Sequence, residues 1–219
     1  MKRIALIVAI FTGFGFTHGM AQNEMKKLTK KLSCGINAEG NVSNFIMSGM
    51  PDAKSKMRIG TSFGAFVKFD ITEHFAIQED VFCLYKTSTL KQESNKSRYE
   101  FGGIEIPIYA MGQWNKKVDE RFYVGIGPYA EWGLNAIYKT GGMEIELYKK
   151  DKATNKAYMT KLSMGIAVII GYEFKDGTQV NAGYKKSLTN ALEEGKDKSS
   201  MYSNILSLGV AYRFKSVRL

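Results

Sequence analysis

FYVGIGPYAEWGLNA, residues 122–136, alternates without a break. Phe122, Val124, Ile126, Pro128, Ala130, Trp132, Leu134 and Ala136 fall on one face, which is apolar and uncharged. Tyr123, Gly125, Gly127, Tyr129, Glu131, Gly133 and Asn135 fall on the other, which is small or polar and carries a carboxylate. A period of two with unlike faces marks a strand between two different environments. The stretch outruns the about 5–6 residues of an ordinary strand and meets the about 9–11 that a transmembrane β-strand needs.

Working outward, the same unit recurs. Strand 1 is expected from Lys31, with Leu32, Cys34, Ile36 and Ala38 outward. The polar stretch Asn41 to Lys56 follows as a loop. Strand 2, Met57 to Asp70, faces Ile59, Phe63, Val67 and Phe69 outward, and Gly60, Phe66, Lys68 and Asp70 inward. After a tight turn at 71–74, strand 3, Phe75 to Lys86, turns Gln78, Asp80 and Lys86 inward. Glu79 breaks its outer face. Thr87 to Arg98 reads as a charged loop. Strand 4, Tyr99 to Gly112, places Glu105 inward, and Pro107 removes a ladder hydrogen bond, which predicts a bulge or irregularity.

Gln113 to Arg121 reads as a turn into strand 5, the opening stretch. Ile137 to Ala157 reads as the longest loop. Strand 6, Tyr158 to Phe174, is the most apolar and points Glu173 inward. Lys175-Asp176-Gly177 is a hairpin turn. Strand 7, Thr178 to Asn190, turns Lys185 inward, and strand 8, Met201 to Phe214, turns Arg213 inward. An even number of strands lets an antiparallel barrel close. The pattern predicts an all-β fold: an eight-stranded antiparallel transmembrane β-barrel, an up-and-down meander over residues 31–219. Long polar connectors are expected after strands 1, 3, 5 and 7, with short ones between, as in barrels whose long loops face outward and whose termini are periplasmic. Two aromatic belts are expected. One holds Phe69, Phe75, Phe122, Tyr172, Phe174, Tyr212 and Phe214; the other holds Tyr85, Tyr99, Trp132, Tyr138 and Tyr158. A soluble lipocalin-like barrel would invert the pattern, apolar inside and charged outside.

Residues 1–21 read as a secretory signal peptide: Lys2 and Arg3, an apolar core from Ile4 to Phe16, and Gly19-Met20-Ala21 before the cut. Residues 22–30 read as a periplasmic lead-in. Cleavage removes two cations from the formal charge of +10. A basic chain suggests nucleic acid, but export and the scatter of the lysines disfavour it. Basic loops near anionic lipopolysaccharide account for the charge better. Cys34 and Cys83 are expected as unpaired apolar-face residues on strands that are not neighbours.

Several pieces together resemble the PorT-like small outer-membrane β-barrel proteins, often labelled porin family. They are Cys34-Gly35-Ile36-Asn37, Ile77-Gln78-Glu79-Asp80-Val81, Ile104-Glu105-Ile106-Pro107-Ile108 and Gly125-Ile126-Gly127-Pro128-Tyr129. Gly171-Tyr172-Glu173-Phe174, Gly183-Tyr184 and Gly209-Val210-Ala211-Tyr212-Arg213-Phe214 complete the set. Asp80 stands where the family usually has glutamate, and Lys215 to Leu219 follow the usual aromatic end. The resemblance implies an outer-membrane barrel and fixes no activity.

The chemistry is sparse. His74 is the one histidine after the signal peptide, in a turn, with no serine or carboxylate motif around it. No cysteine or histidine cluster has zinc spacing, and no cofactor is expected. Gly102-Gly103 and Gly125-x-Gly127 lack the following helix of a phosphate loop. The inward charges Lys68, Asp80, Glu105, Glu131, Glu173, Lys185 and Arg213 form the candidate site. They read as a lumen network, either a plug of salt bridges or a polar path for small solutes or protons. An eight-stranded lumen is just wide enough for its own side chains, which disfavours a general diffusion pore. Three functional classes follow: a non-enzymatic barrel meeting envelope or secretion partners through its loops, a narrow channel, and a barrel enzyme with a site at the rim. The enzyme is disfavoured, because no histidine lies near the rim. Outer-membrane lipid, lipopolysaccharide and the barrel assembly machinery are the expected partners, along with an envelope or secretion protein of unknown identity.

Overall fold

A computed structural model describes residues 31–50, 53–92, 95–117, 120–150, 155–192, 199–214 and 216–218. The signal peptide and lead-in expected at residues 1–30 lie outside the described residues. The described chain is antiparallel β-structure throughout: β1 Lys31–Ser48, β2 Ala53–Asp70, β3 Phe75–Gln92, β4 Asn95–Lys117, β5 Glu120–Thr140, β6 Met143–Glu146, β7 Leu162–Glu173, β8 Thr178–Ser187, β9 Ser200–Arg213 and β10 Val217–Arg218. Successive long strands pair in sequence order, and β1 also pairs β9 from Gly35↔Arg213 to Ser48↔Ser200. With β6 hydrogen-bonded only to β5, and β10 only to the start of β1, the other eight strands close a ring. This is the eight-stranded transmembrane β-barrel that the alternation predicts.

The outward faces are as the alternation assigns them except at the end of β5, where the register shift between Gly133 and Asn135 leaves Asn135 exposed and turns Ala136 into the lumen. Ile36, Ile59, Phe63, Val81, Ile126, Ile166, Ile170, Leu208 and Val210 are all exposed on the outer wall. Cys34 and Cys83 share that wall as free thiols. Glu79 also stands on it, between Ile77 and Val81, and nothing in its surroundings explains a carboxylate there. At the hairpin between β7 and β8, Gly177 takes a φ of 89°, open to glycine without strain. Asp176 accepts hydrogen bonds from the Thr178 amide and hydroxyl at 3.0 and 2.8 Å, which holds its carboxyl below the usual range.

Strand lengths depart from expectation. Asn41 to Ser48 and Ala53 to Lys56 are strand rather than loop, and so is most of 87–98. The expected turn at 113–121 is strand up to Lys117 and again from Glu120. β5 continues to Thr140, and β6 folds back onto it inside the expected loop 137–157. β7 starts at Leu162, later than expected, and β8 ends at Ser187. The asymmetry between the two ends therefore lies less in connector length than in strand overhang. In the segments above the lipid belt the outer face turns polar while the inner face mixes polar residues with Phe45, Met47 and Leu90, so the contrast between faces is lost, yet the ladder continues by backbone pairing.

Pro107 produces no register shift. The β3–β4 pairs Glu79↔Ile108 and Phe82↔Glu105 keep one register across it, and only the pairs between them are missing. The shifts fall at Met57/Thr61, Gly102/Gly103 and Asn115/Lys117. Tyr99 is not a belt residue. It is buried inside, edge-on to Phe45 at 4.9 Å between ring centroids. Tyr138 pairs with it across the ladder on the same inner face and donates to the Ser97 hydroxyl. Trp114 joins the aromatic belt beside the 71–74 turn instead, 6.0 Å from the Phe122 ring.

Candidate functional site: the barrel lumen

The inner face alternates large and very small residues, and that decides what the lumen holds. A Cβ on Gly35 would strike the Phe66 ring and the Tyr212 carbonyl, and one on Gly171 would strike the Tyr123 ring. Glycines on one strand thus make room for aromatics from its neighbours, as a narrow barrel requires. Phe66, Phe82, Tyr109, Tyr123 and Tyr129 fill the middle and are each nearly inaccessible.

The candidate charges all lie inside. Lys68, Asp80, Glu105, Glu131, Glu173 and Lys185 are buried, and the Arg213 side chain is largely so. They form three tiers. At the end beside the 71–74 turn, Glu173 takes Arg213 at 2.6 Å, Arg121 at 3.8 Å and Lys68 at 3.9 Å. Asp70 takes Arg121 at 3.2 Å and Lys68 at 3.9 Å. Gln113 donates to Asp70, and Gln179 donates to Glu173. In the middle tier the Lys185 ammonium bridges Glu39, at 3.5 Å, and Glu105, and lies 4.8 Å from the centre of the Phe82 ring. Asp80 accepts from Asn37 and Gln78, each at 3.1 Å, with no cation within 4 Å of it among the described residues. In the upper tier Lys86 donates to both oxygens of Glu131, at 2.8 and 2.7 Å, and to Ser203.

Burial costs an isolated charge several kcal/mol, and pairing offsets that cost only with well-placed counter-charges and hydrogen bonds. The tiers provide these for every candidate charge but Asp80, which among the described residues is held by the Asn37 and Gln78 amides alone. The expected charges thus divide among three separate clusters, which also take in Asp70 and Lys86, inward residues outside the candidate set. Glu39 and Arg121 were not anticipated. Both obey the period of two: Glu39 falls between Asn37 and Asn41 on β1, and Arg121 two residues before Tyr123 on β5. Reading 113–121 as a turn conceals the second.

Above the upper tier the lumen is apolar. Phe45, Leu84, Tyr99, Phe101, Met201 and Ile205 form a cluster that Met159 and Ala191 cover from the connectors before β7 and β9. A cavity of about 340 Å³ opens at this mouth among Met47, Met50, Leu90, Tyr138, Leu147 and Tyr158. His74 lies at the other end, in the 71–74 turn, where its Nδ1 is 3.3 Å from the Gln113 carbonyl oxygen. Among the described residues no hydroxyl or thiol pairs with its imidazole ring, and no three metal-binding side chains gather.

Comparison with solved structures places this architecture. OprG, an outer membrane protein from Pseudomonas aeruginosa, superposes with a TM-score of 0.50 at 11% identity, over 86% of this chain and 97% of that one. Neisserial surface protein A, NspA, matches with a TM-score of 0.44 at 16% identity, over 83% of this chain and 97% of that one. Comparison with curated proteins gives no match. Residues 20–193 match the family model described as the outer membrane protein beta-barrel domain, and the chain belongs to that family.

Proposed function

We propose that this barrel works at the cell surface, as a non-enzymatic interaction protein of the envelope, through the strands and loops that stand above the lipid belt. The filled lumen carries the reading. Three tiers of paired charge, packed aromatics and an apolar cap leave the interior occupied along its length. What the barrel offers to other molecules is then its outer end. A secretion or envelope-assembly partner fits this role, and the ordered motifs from Cys34 to Phe214 favour a PorT-like member of the family. The same reading has residues 1–21 removed on export and both termini in the periplasm.

Planar-bilayer recording of the refolded mature protein tests it. No discrete conductance steps are expected in molar salt. Reproducible steps that change on Lys185→Met would replace this reading with a narrow channel.

A further inference from the structure

The ladder above the lipid belt sets like charges directly opposite one another. Lys54 pairs Lys91 across β2–β3, and Lys91 pairs Lys96 across β3–β4. Directly opposed like charges destabilise a sheet, so a row of three lysines on adjacent strands is a standing cost. The Lys91 ammonium is pushed below the ordinary lysine range by Lys56 and Lys96. Nearby Arg98 and Lys139 are matched by Glu100 and Glu144, at 3.0 Å for Arg98–Glu100 and 2.9 Å for Lys139–Glu144. Lys54, Lys56, Arg58, Lys91 and Lys96 have no carboxylate within 4 Å among the described residues.

These side chains share one face, with Lys54, Lys91 and Lys96 level across three strands and Lys56 and Arg58 below them. Lys91 lies on the face of β3 that carries Tyr85 and Cys83, and Lys96 on the face of β4 that carries Ile104 and Ile106. The patch is therefore on the outer wall. Its lower edge, Arg58, adjoins the exposed Ile59 at the top of the apolar band. Lys91 is six residues beyond Tyr85, which for a strand rising about 3.4 Å per residue and tilted about 35–45° lies some 15 Å higher. Lys56, Arg58, Lys91 and Lys96 line an open groove of about 560 Å³ with Arg98, Lys139 and Glu144, the one carboxylate in its lining among the described residues, which Lys139 pairs. A lateral patch at this height meets the phosphorylated sugars of the surrounding leaflet rather than a partner arriving from above.

We propose that the outer wall of β2–β4, above the lipid belt, is a binding site for the phosphate groups of outer-leaflet lipopolysaccharide, with the Lys54–Lys91–Lys96 row as its centre. The proposal rests on the surface role argued above and deepens it. It is independent of conductance, so either can fail alone.

The test uses the mature protein in phosphatidylcholine nanodiscs containing bisphosphorylated lipid A, dephosphorylated lipid A or neither, with thermal unfolding as the readout. Bisphosphorylated lipid A is expected to raise the unfolding midpoint and dephosphorylated lipid A to leave it unchanged. Replacing the three lysines together, Lys54→Gln, Lys91→Gln and Lys96→Gln, should raise the half-saturating lipid A fraction about tenfold, the loss of roughly one charge-assisted hydrogen bond. In discs without lipid A the same variant should unfold at or above the wild-type midpoint, because the like charges are gone. A lower midpoint there would make the row structural and overturn the proposal. Equal response to both lipids would also overturn it, as would a midpoint raised only when soluble hexametaphosphate is added to the discs without lipid A, which would assign the patch to a free polyanion. If the variant does not fold, a salt series on the wild type decides: half-saturation should rise with sodium chloride, and indifference to salt would overturn the site.

Discussion

At the scale of single residues, Lys185 is the member of the lumen network on which most depends. It is buried, and it is the one cation within 4 Å of Glu39 or Glu105 among the described residues. Lys185→Met keeps the length of the side chain but leaves two buried carboxylates uncompensated. Stability should fall by about 3–5 kcal/mol, the cost of breaking a buried pair. Urea unfolding in liposomes measures this. Adding Glu105→Gln should restore part of the loss, because the second buried charge is then removed as well. No recovery in the double variant would mean that Glu39 and Glu105 do not share the ammonium. Gly35 is as constrained as Lys185 for a steric reason: any side chain there displaces Phe66 or the β9 backbone.

At the scale of elements, β7 gives the sharpest test of which face meets lipid. Ala167 is fully buried in the lumen, and Val168 belongs to the outer series with Ile166 and Ile170. Val168→Lys should impair folding into liposomes by about 2–4 kcal/mol, the cost of a cation on the lipid face near the midplane, while Ala167→Ser should cost far less. A cysteine at 168, in a chain lacking Cys34 and Cys83, should resist water-soluble maleimide once folded. Rapid labelling at 168 would mean a register off by one, which turns every inward charge outward. Such faces were legible because lipid and lumen impose opposite chemistry on neighbouring residues. The seven lumen charges were found from that contrast alone. Strand ends were not legible, and the reason is visible in Asn41 to Ser48 and Thr87 to Gln92. Beyond the bilayer one wall of the barrel faces water, so polar residues appear on both sides, and backbone pairing, which carries no sequence signature, holds the strand. Tyr99 was misplaced for the same reason, since an aromatic near a rim reads alike whether it faces lipid or plugs the mouth.

At the scale of the whole molecule, orientation is the testable property. The connector between β5 and β7 contains Lys149 and Lys150, both exposed. Trypsin added to intact cells should cut first between Ile137 and Ala157, at Lys149, Lys150 or Lys152, the last outside the described residues, since exposed loop tips are the preferred sites of nicking. Cleavage at Lys116 or Lys117 with these lysines spared would mean the barrel is inserted the other way up. The seam of the ring has a further effect, on the order of events during assembly. β1 finishes its pairing only with β9, at the opposite end of the chain, from Gly35↔Arg213 onward. Until the last strand has been delivered, β1 keeps a bare edge of unpaired amides and carbonyls, a template for any other strand it meets. Local hairpins such as β2–β3 can form early, but closure must wait for the C-terminus, so a chain truncated before Ser200 is left with two open edges rather than a slightly smaller barrel. Survival to insertion therefore requires that something shield the first strand for as long as the last is still arriving.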